Sequence, residues 1–117
     1  MIKFYKILIL LFINITFSQT TLTAKVVGVK DGDTVVVIDS LNNQIALRLA
    51  EVDCPEKNQP FGTKAKQFTS DQVYLKTIKY VVTDTDRYDR SIAMIYYDED
   101  NKYLSAEIIK AGMGWHY

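Results

Sequence analysis

Ile45-Ala46-Leu47-Arg48-Leu49-Ala50-Glu51-Val52-Asp53-Cys54-Pro55-Glu56 is the stretch from which the rest of the chain can be read. Ile45, Leu47 and Leu49 alternate with Ala46, Arg48 and Ala50, the pattern of a strand with one buried face. Arg48 falls on the opposite face. Pro55 pushes Cys54 out of the helical region, which ends regular pairing and can leave the Cys54 carbonyl free. Asp53 and Glu56 flank that bend. Taken alone, this is a strand that runs into a charged loop.

Upstream the pattern is also β. Leu22, Ala24 and Val26 alternate with Thr23, Lys25 and Val27, and Gly28 is placed for a bulge or a coil in the strand. Asp31-Gly32-Asp33-Thr34 then turns the chain into the apolar run Val35 to Ile38. Asp39 to Asn43 is a second turn, where Asn42 and Asn43 tolerate positive φ. Three strands with short connections make a meander.

Downstream, Lys57 to Gly62 is a polar loop. Phe61, Ala65, Phe68 and Leu75 then fall at helical spacing. Ile78, Tyr80 and Val82 resume alternation, as do Ile92, Met94 and Tyr96 beyond the turn Asp86-Arg87-Tyr88-Asp89-Arg90. Asp98 to Asn101 is an acidic turn. Leu104, Ile108 and Ala111 form a short helical stripe that Gly112 can end. The order β-β-β-α-β-β-α fits an α+β, mainly β domain: a five-stranded Greek-key barrel of OB type with two packed helices, although the first three strands alone could equally begin another small barrel.

The chain has 117 residues, one cysteine and a formal net charge of zero. That length suits one domain with a modest core. The neutral balance argues against a general polyanion binder but not against an enzyme with a locally positive site. Residues 1–18 read as a secretory signal peptide: Lys3 and Lys6, an apolar run from Ile7 to Phe17 too short to span a membrane, and small Thr16 and Ser18 before the cut. The mature domain is therefore expected over residues 19–117, secreted or periplasmic, free of the membrane and monomeric. Its single thiol, Cys54, leaves no internal disulfide to support the fold.

Asp31, Asp33, Asp53 and Glu56 are four carboxylates at strand ends in one half of the domain. If they converge, a cation relieves their repulsion. An oxygen-only ligand set suits a hard ion such as calcium or magnesium. Arg48 and Arg90 bring guanidinium forks that bind phosphate in a bidentate way. Together these groups form a phosphoryl-transfer constellation, with Glu56 able to accept a proton from water.

The motifs D-G-D-T, R-L-x-x-V-D-C-P-E and D-R-Y-x-R, in that order, resemble the staphylococcal nuclease (thermonuclease) family over roughly Thr21 to Gly112. The resemblance implies an OB-type barrel and calcium-dependent hydrolysis of DNA and RNA phosphodiesters that leaves 3′-phosphates. It implies Arg48, Glu56 and Arg90 as catalytic residues, and Arg87 and Tyr88 beside the nucleotide phosphate. It implies Asp33, Asp53 and the Cys54 carbonyl as calcium ligands, with Asp31 and Glu56 near the ion or acting through water. Three departures stand out. Cys54 replaces a common threonine and Asp89 a common glycine. The family's third, C-terminal helix is expected to be absent, because Gly114-Trp115-His116-Tyr117 matches only the start of the segment leading to it. The rival reading is a non-catalytic OB-fold module that binds nucleic acid. The five matched residues Asp33, Arg48, Asp53, Glu56 and Arg90 speak for the enzyme.

Overall fold

The computed structural model describes residues 19–117; the proposed signal segment lies outside them. The strands are β1 (Thr21–Asp31), β2 (Thr34–Ile38), β3 (Gln44–Leu49), β4 (Thr77–Thr85), β5 (Ser91–Tyr97) and the two-residue β6 (Lys102–Tyr103). Helix α1 (Gly62–Val73) connects β3 to β4, and α2 (Leu104–Lys110) follows β6. The sheet order is β3-β2-β1-β4-β5-β6, and β3 also pairs with β5. That pairing is parallel, sets Leu47, Arg48 and Leu49 beside Ser91, Ile92 and Ala93, and closes five strands into a barrel. β6 adds a short edge to β5. The expected five-stranded barrel with two helices is the fold observed, and β6 is its one addition.

Closure removes the open strand edges. It also leaves one apolar interior, filled by Val26, Val35, Val37, Leu47, Leu49, Val52, Ile78, Ile95, Leu104 and Ile108, all essentially without solvent contact. Each such side chain contributes about 1.5–3 kcal/mol relative to an exposed one. Gly28 does mark a bulge, since the β1–β2 register shifts between Val26 and Gly28.

Two apolar stripes lie elsewhere than periodicity places them. On α1 the buried positions are Gly62, Ala65, Thr69 and Val73. Phe61 and Leu75 are exposed and take left-handed φ values of 64° and 63°, outside the helix at either end. Small residues face the barrel instead, so α1 packs close. The Thr69 hydroxyl donates to the Gly32 carbonyl at 2.6 Å across that contact. On β5 the buried set is Ala93, Ile95 and Tyr97, not Ile92, Met94 and Tyr96. Both faces of β5 are apolar, so alternation alone does not decide which one points inward. The outer Tyr96 stacks on Tyr103, with ring centroids 5.3 Å apart.

Two backbone details aim the chain at one end of the barrel. At Gly62, a Cβ would stand 1.8 Å from the Glu56 carbonyl oxygen, so the start of α1 lies directly against the Glu56 backbone. After α2, Gly112 at φ 73° donates its N–H to the Ile109 carbonyl, and Met113 donates to Ile108, both at 3.0 Å. This is a Schellman ending. It turns the chain so that Trp115 and Asp53 exchange two backbone hydrogen bonds of 2.9 Å.

Candidate active site

The site is assembled where the β1–β2 turn, the end of β3 and the start of β5 meet. Asp33, in the turn, is buried and acts as a hub. Its Oδ2 accepts the Cys54 N–H at 2.9 Å, its Oδ1 accepts the Thr34 hydroxyl at 3.1 Å, and its carbonyl accepts the Leu49 N–H at 2.8 Å. The Asp31 carboxylate accepts the Lys57 N–H at 3.2 Å. The β1–β2 turn therefore holds the loop after β3 at two points.

Arg48 projects from the outer face of β3, as alternation requires, and its side chain is only 14% exposed. Nη1 donates to the carbonyls of Leu49 (3.0 Å) and Val52 (2.8 Å). Nη2 lies 3.1 Å from Asp53 Oδ1 and 3.4 Å from Asp33 Oδ2. The guanidinium thus stands between two of the expected metal ligands and offsets their repulsion. The parallel β3–β5 pairing places Arg90, just before β5, at the same end of the barrel.

A cleft of roughly 350 Å³ opens there. Asp31, Asp33, Arg48, Asp53, Cys54, Glu56 and Arg90 all line it, joined by Thr34, Gln59 and Trp115. The four carboxylates and two arginines singled out in the sequence are therefore brought together. Arg87 and Tyr88 are not in its lining. They sit on the adjoining β4–β5 turn, where Tyr88 is exposed and the guanidinium carbons of Arg87 and Arg90 approach its ring centroid at 5.2 and 5.5 Å. Asp89, in the same turn, has φ 58°, the left-handed conformation that aspartate tolerates better than most residues.

Cys54 contributes no nucleophile. Burial first, and the charge of Asp33 next, push its thiol up to about 12. Its side chain packs in the core cluster, so any role in the site falls to its backbone.

Three neighbours carry no assigned role in the sequence reading. Gln59 exchanges hydrogen bonds with the Glu56 backbone: Glu56 N–H donates to Gln59 Oε1 and Gln59 N–H to the Glu56 carbonyl, each at 2.8 Å. Asp86 holds Arg90 through Nε at 2.7 Å. Trp115 reaches the cleft through its bridge to Asp53. Only Asp86 and Arg90 left a trace in the sequence, the spacing of opposite charges four apart.

Among the described residues, no three His, Cys, Asp or Glu side chains converge as a metal-holding group. Arg48 lies between Asp33 and Asp53 and pairs with both. The cleft still offers oxygen donors from Asp31, Asp33, Thr34, Asp53 and Glu56, a set that fits a hard cation in kind.

A family model described as staphylococcal nuclease homologue matches residues 46–117, which include Arg48, Asp53, Glu56 and Arg90. The chain belongs to the staphylococcal nuclease family. Related proteins agree. A Haemophilus influenzae protein named as an uncharacterized endonuclease is 43% identical over 95 residues, covering 81% of this chain and 52% of the relative. Micrococcal nuclease of Shigella flexneri is 34% identical over 101 residues, covering 80% of this chain and 57% of its own length. Protein ParB of Escherichia coli is 31% identical over 104 residues, covering 82% and 58%. The chain thus spans little more than half the length of these curated relatives. In this staphylococcal nuclease family cleft the two arginines differ: both terminal nitrogens of Arg48 are bound by protein groups, whereas Arg90 is held through Nε and keeps its terminal nitrogens free among the described residues.

Proposed function

We propose that the protein is a calcium-dependent endonuclease that hydrolyses DNA and RNA phosphodiesters and leaves 3′-phosphates. The observation that carries this reading is the single cleft shared by Arg48, Arg90, Glu56 and three aspartates in a staphylococcal nuclease fold.

In this reading, Glu56 takes a proton from the water that attacks phosphorus. The bond from phosphorus to the 5′-oxygen breaks, the 5′-oxygen takes a proton from solvent water while Glu56 returns its own to solvent, and the phosphate stays on the 3′ side. Arg90, and Arg48 once its contacts pass from the aspartates to substrate, bind the phosphorus oxygens as their charge grows. Arg87 and Tyr88 flank the neighbouring phosphate on the β4–β5 turn. Asp33, Asp53 and the Cys54 carbonyl would hold calcium, with Asp31 nearby or bound through water. The ion supplies Lewis-acid stabilisation of phosphate charge.

The test is release of acid-soluble nucleotides from DNA and RNA with calcium and with excess chelator. Cleavage is expected with calcium and none in chelator, and calcium is expected to raise the melting temperature because it binds only the folded site. Undiminished cleavage in chelator contradicts the calcium assignment. Retention of nucleic acid without cleavage under any metal would instead favour the non-catalytic binding module.

Secretion or transfer to the periplasm belongs to the same proposal. It rests on the basic, apolar and small-residue order of residues 1–18. N-terminal sequencing of exported protein is expected to begin at Gln19, and an intact Met1 would exclude cleavage there. No helix among the described residues is long and apolar enough to cross a membrane.

A further inference from the structure

Asp86 lies in the β4–β5 turn and does not line the cleft. Nevertheless its carboxylate organises the whole turn. Oδ1 accepts the backbone N–H groups of Tyr88 (2.8 Å) and Arg90 (3.0 Å). Oδ2 accepts Arg90 Nε at 2.7 Å, a charge-assisted bond. The main chain closes over the same residue: Asp86 N–H donates to the Arg90 carbonyl at 2.9 Å, and Asp89 N–H to the Asp86 carbonyl at 3.1 Å. The Asp86 side chain is 15% exposed, against 36% for Arg90.

We propose that Asp86 is the positioning residue for Arg90, fixing its guanidinium by the Nε edge so that both terminal nitrogens face a substrate phosphate. The proposal rests on the nuclease reading above and adds a residue to it.

The geometry separates the two arginines. A guanidinium offers a bidentate fork through its two terminal nitrogens, or through Nε and one of them. Asp86 takes Nε and leaves the terminal fork. Tyr88 lies 5.5 Å from the guanidinium carbon. The group is held by its inner edge, while the two carboxylate oxygens divide the work: one shapes the backbone and the other orients the side chain. Arg48 is the contrast, because its terminal nitrogens are bound to carbonyls and carboxylates. Arg90 is accordingly the arginine ready for phosphate before substrate arrives, and Asp86 keeps it so. Such preorganisation removes ordering entropy from the catalytic step.

Asp86→Asn tests this. The amide oxygen can still accept the Tyr88 and Arg90 N–H groups, but the amide nitrogen then meets Arg90 Nε as donor against donor. With calcium and DNA, kcat is expected to fall by about 10²-fold, the cost of a misplaced reacting group. KM is expected to change less, because Arg90 acts on charge that develops in the transition state. Arg90→Lys has no Nε–H fork to hold. Adding Asp86→Asn to Arg90→Lys is therefore expected to cost little further, a strongly non-additive cycle. Equal losses from Asp86→Asn in both backgrounds would reduce Asp86 to a loop-building residue and overturn the proposal.

Nitrogen-detected NMR of the Arg90 Nε–H gives a readout independent of turnover. The signal is expected to be protected from exchange in the wild type. In Asp86→Asn it should lose that protection while the Tyr88 and Arg90 backbone amides keep theirs. An unchanged Nε–H would also overturn the proposal. If the wild type cuts nothing, the nuclease reading falls by itself, and the NMR result still decides whether Asp86 fixes Arg90.

Discussion

Glu56→Gln is expected to lower turnover by about 10²–10⁴, the range for loss of a general base. The substitution keeps the size and the hydrogen-bonding capacity of the side chain and removes only its ability to take a proton. The fold gives reason to expect little collateral damage. Glu56 is exposed, and its loop is held by backbone contacts: the exchange with Gln59, and the close approach of Gly62 to the Glu56 carbonyl. None of these uses the Glu56 carboxylate. The melting temperature should therefore stay near that of the wild type, and substrate affinity should fall less than kcat. A correctly folded Glu56→Gln variant that cuts DNA at the wild-type rate would remove Glu56 from the mechanism.

Arg48→Lys is expected to cost about 10²–10³ in turnover, or ~2.7–4 kcal/mol, if the fork meets developing phosphate charge. Lysine keeps the charge but cannot reproduce a planar group that reaches two carbonyls and two carboxylates at once. Unlike Glu56→Gln, this change should also lower stability. It loosens the Leu49 and Val52 carbonyls and leaves Asp33, which is buried, with a poorer partner. Rates must therefore be expressed per folded molecule, at a temperature well below the melting point of the variant. Wild-type turnover under those conditions would show that Arg48 serves only to hold the β3 end together.

Particular residues show what could be read before the fold was seen. Leu47 and Leu49 point inward and Arg48 outward because a strand with one strongly apolar and one polar face has a single sensible orientation. On β5 that criterion fails. Ile92, Met94 and Tyr96 are as apolar as Ala93, Ile95 and Tyr97, and only barrel closure selects the second set. On α1, bulky Phe61 and Leu75 drew the stripe away from Gly62, Ala65, Thr69 and Val73, whose small size is what close packing demands. In the candidate site, Asp31, Asp33, Arg48, Asp53, Glu56 and Arg90 stand out in the sequence because their chemistry is explicit in type and order, and all six line one cleft. Their convergence is not legible in the sequence. It depends on the parallel pairing of β3 with β5, a contact between strands more than forty residues apart that leaves no local signature. The engagement of Arg48 by Asp33 and Asp53 was equally hidden. Charge relief by an internal arginine and charge relief by a metal ion call for the same carboxylates.

The paired backbone bonds between Asp53 and Trp115 have a practical consequence. Trp115 is the chain's only tryptophan, it is about half exposed, and it stands in the lining of the cleft. All indole fluorescence of the molecule therefore originates beside the residues expected to meet metal and phosphate. The protein carries an intrinsic optical probe of its own cleft, tied by the main chain to one of the carboxylates whose surroundings it would report.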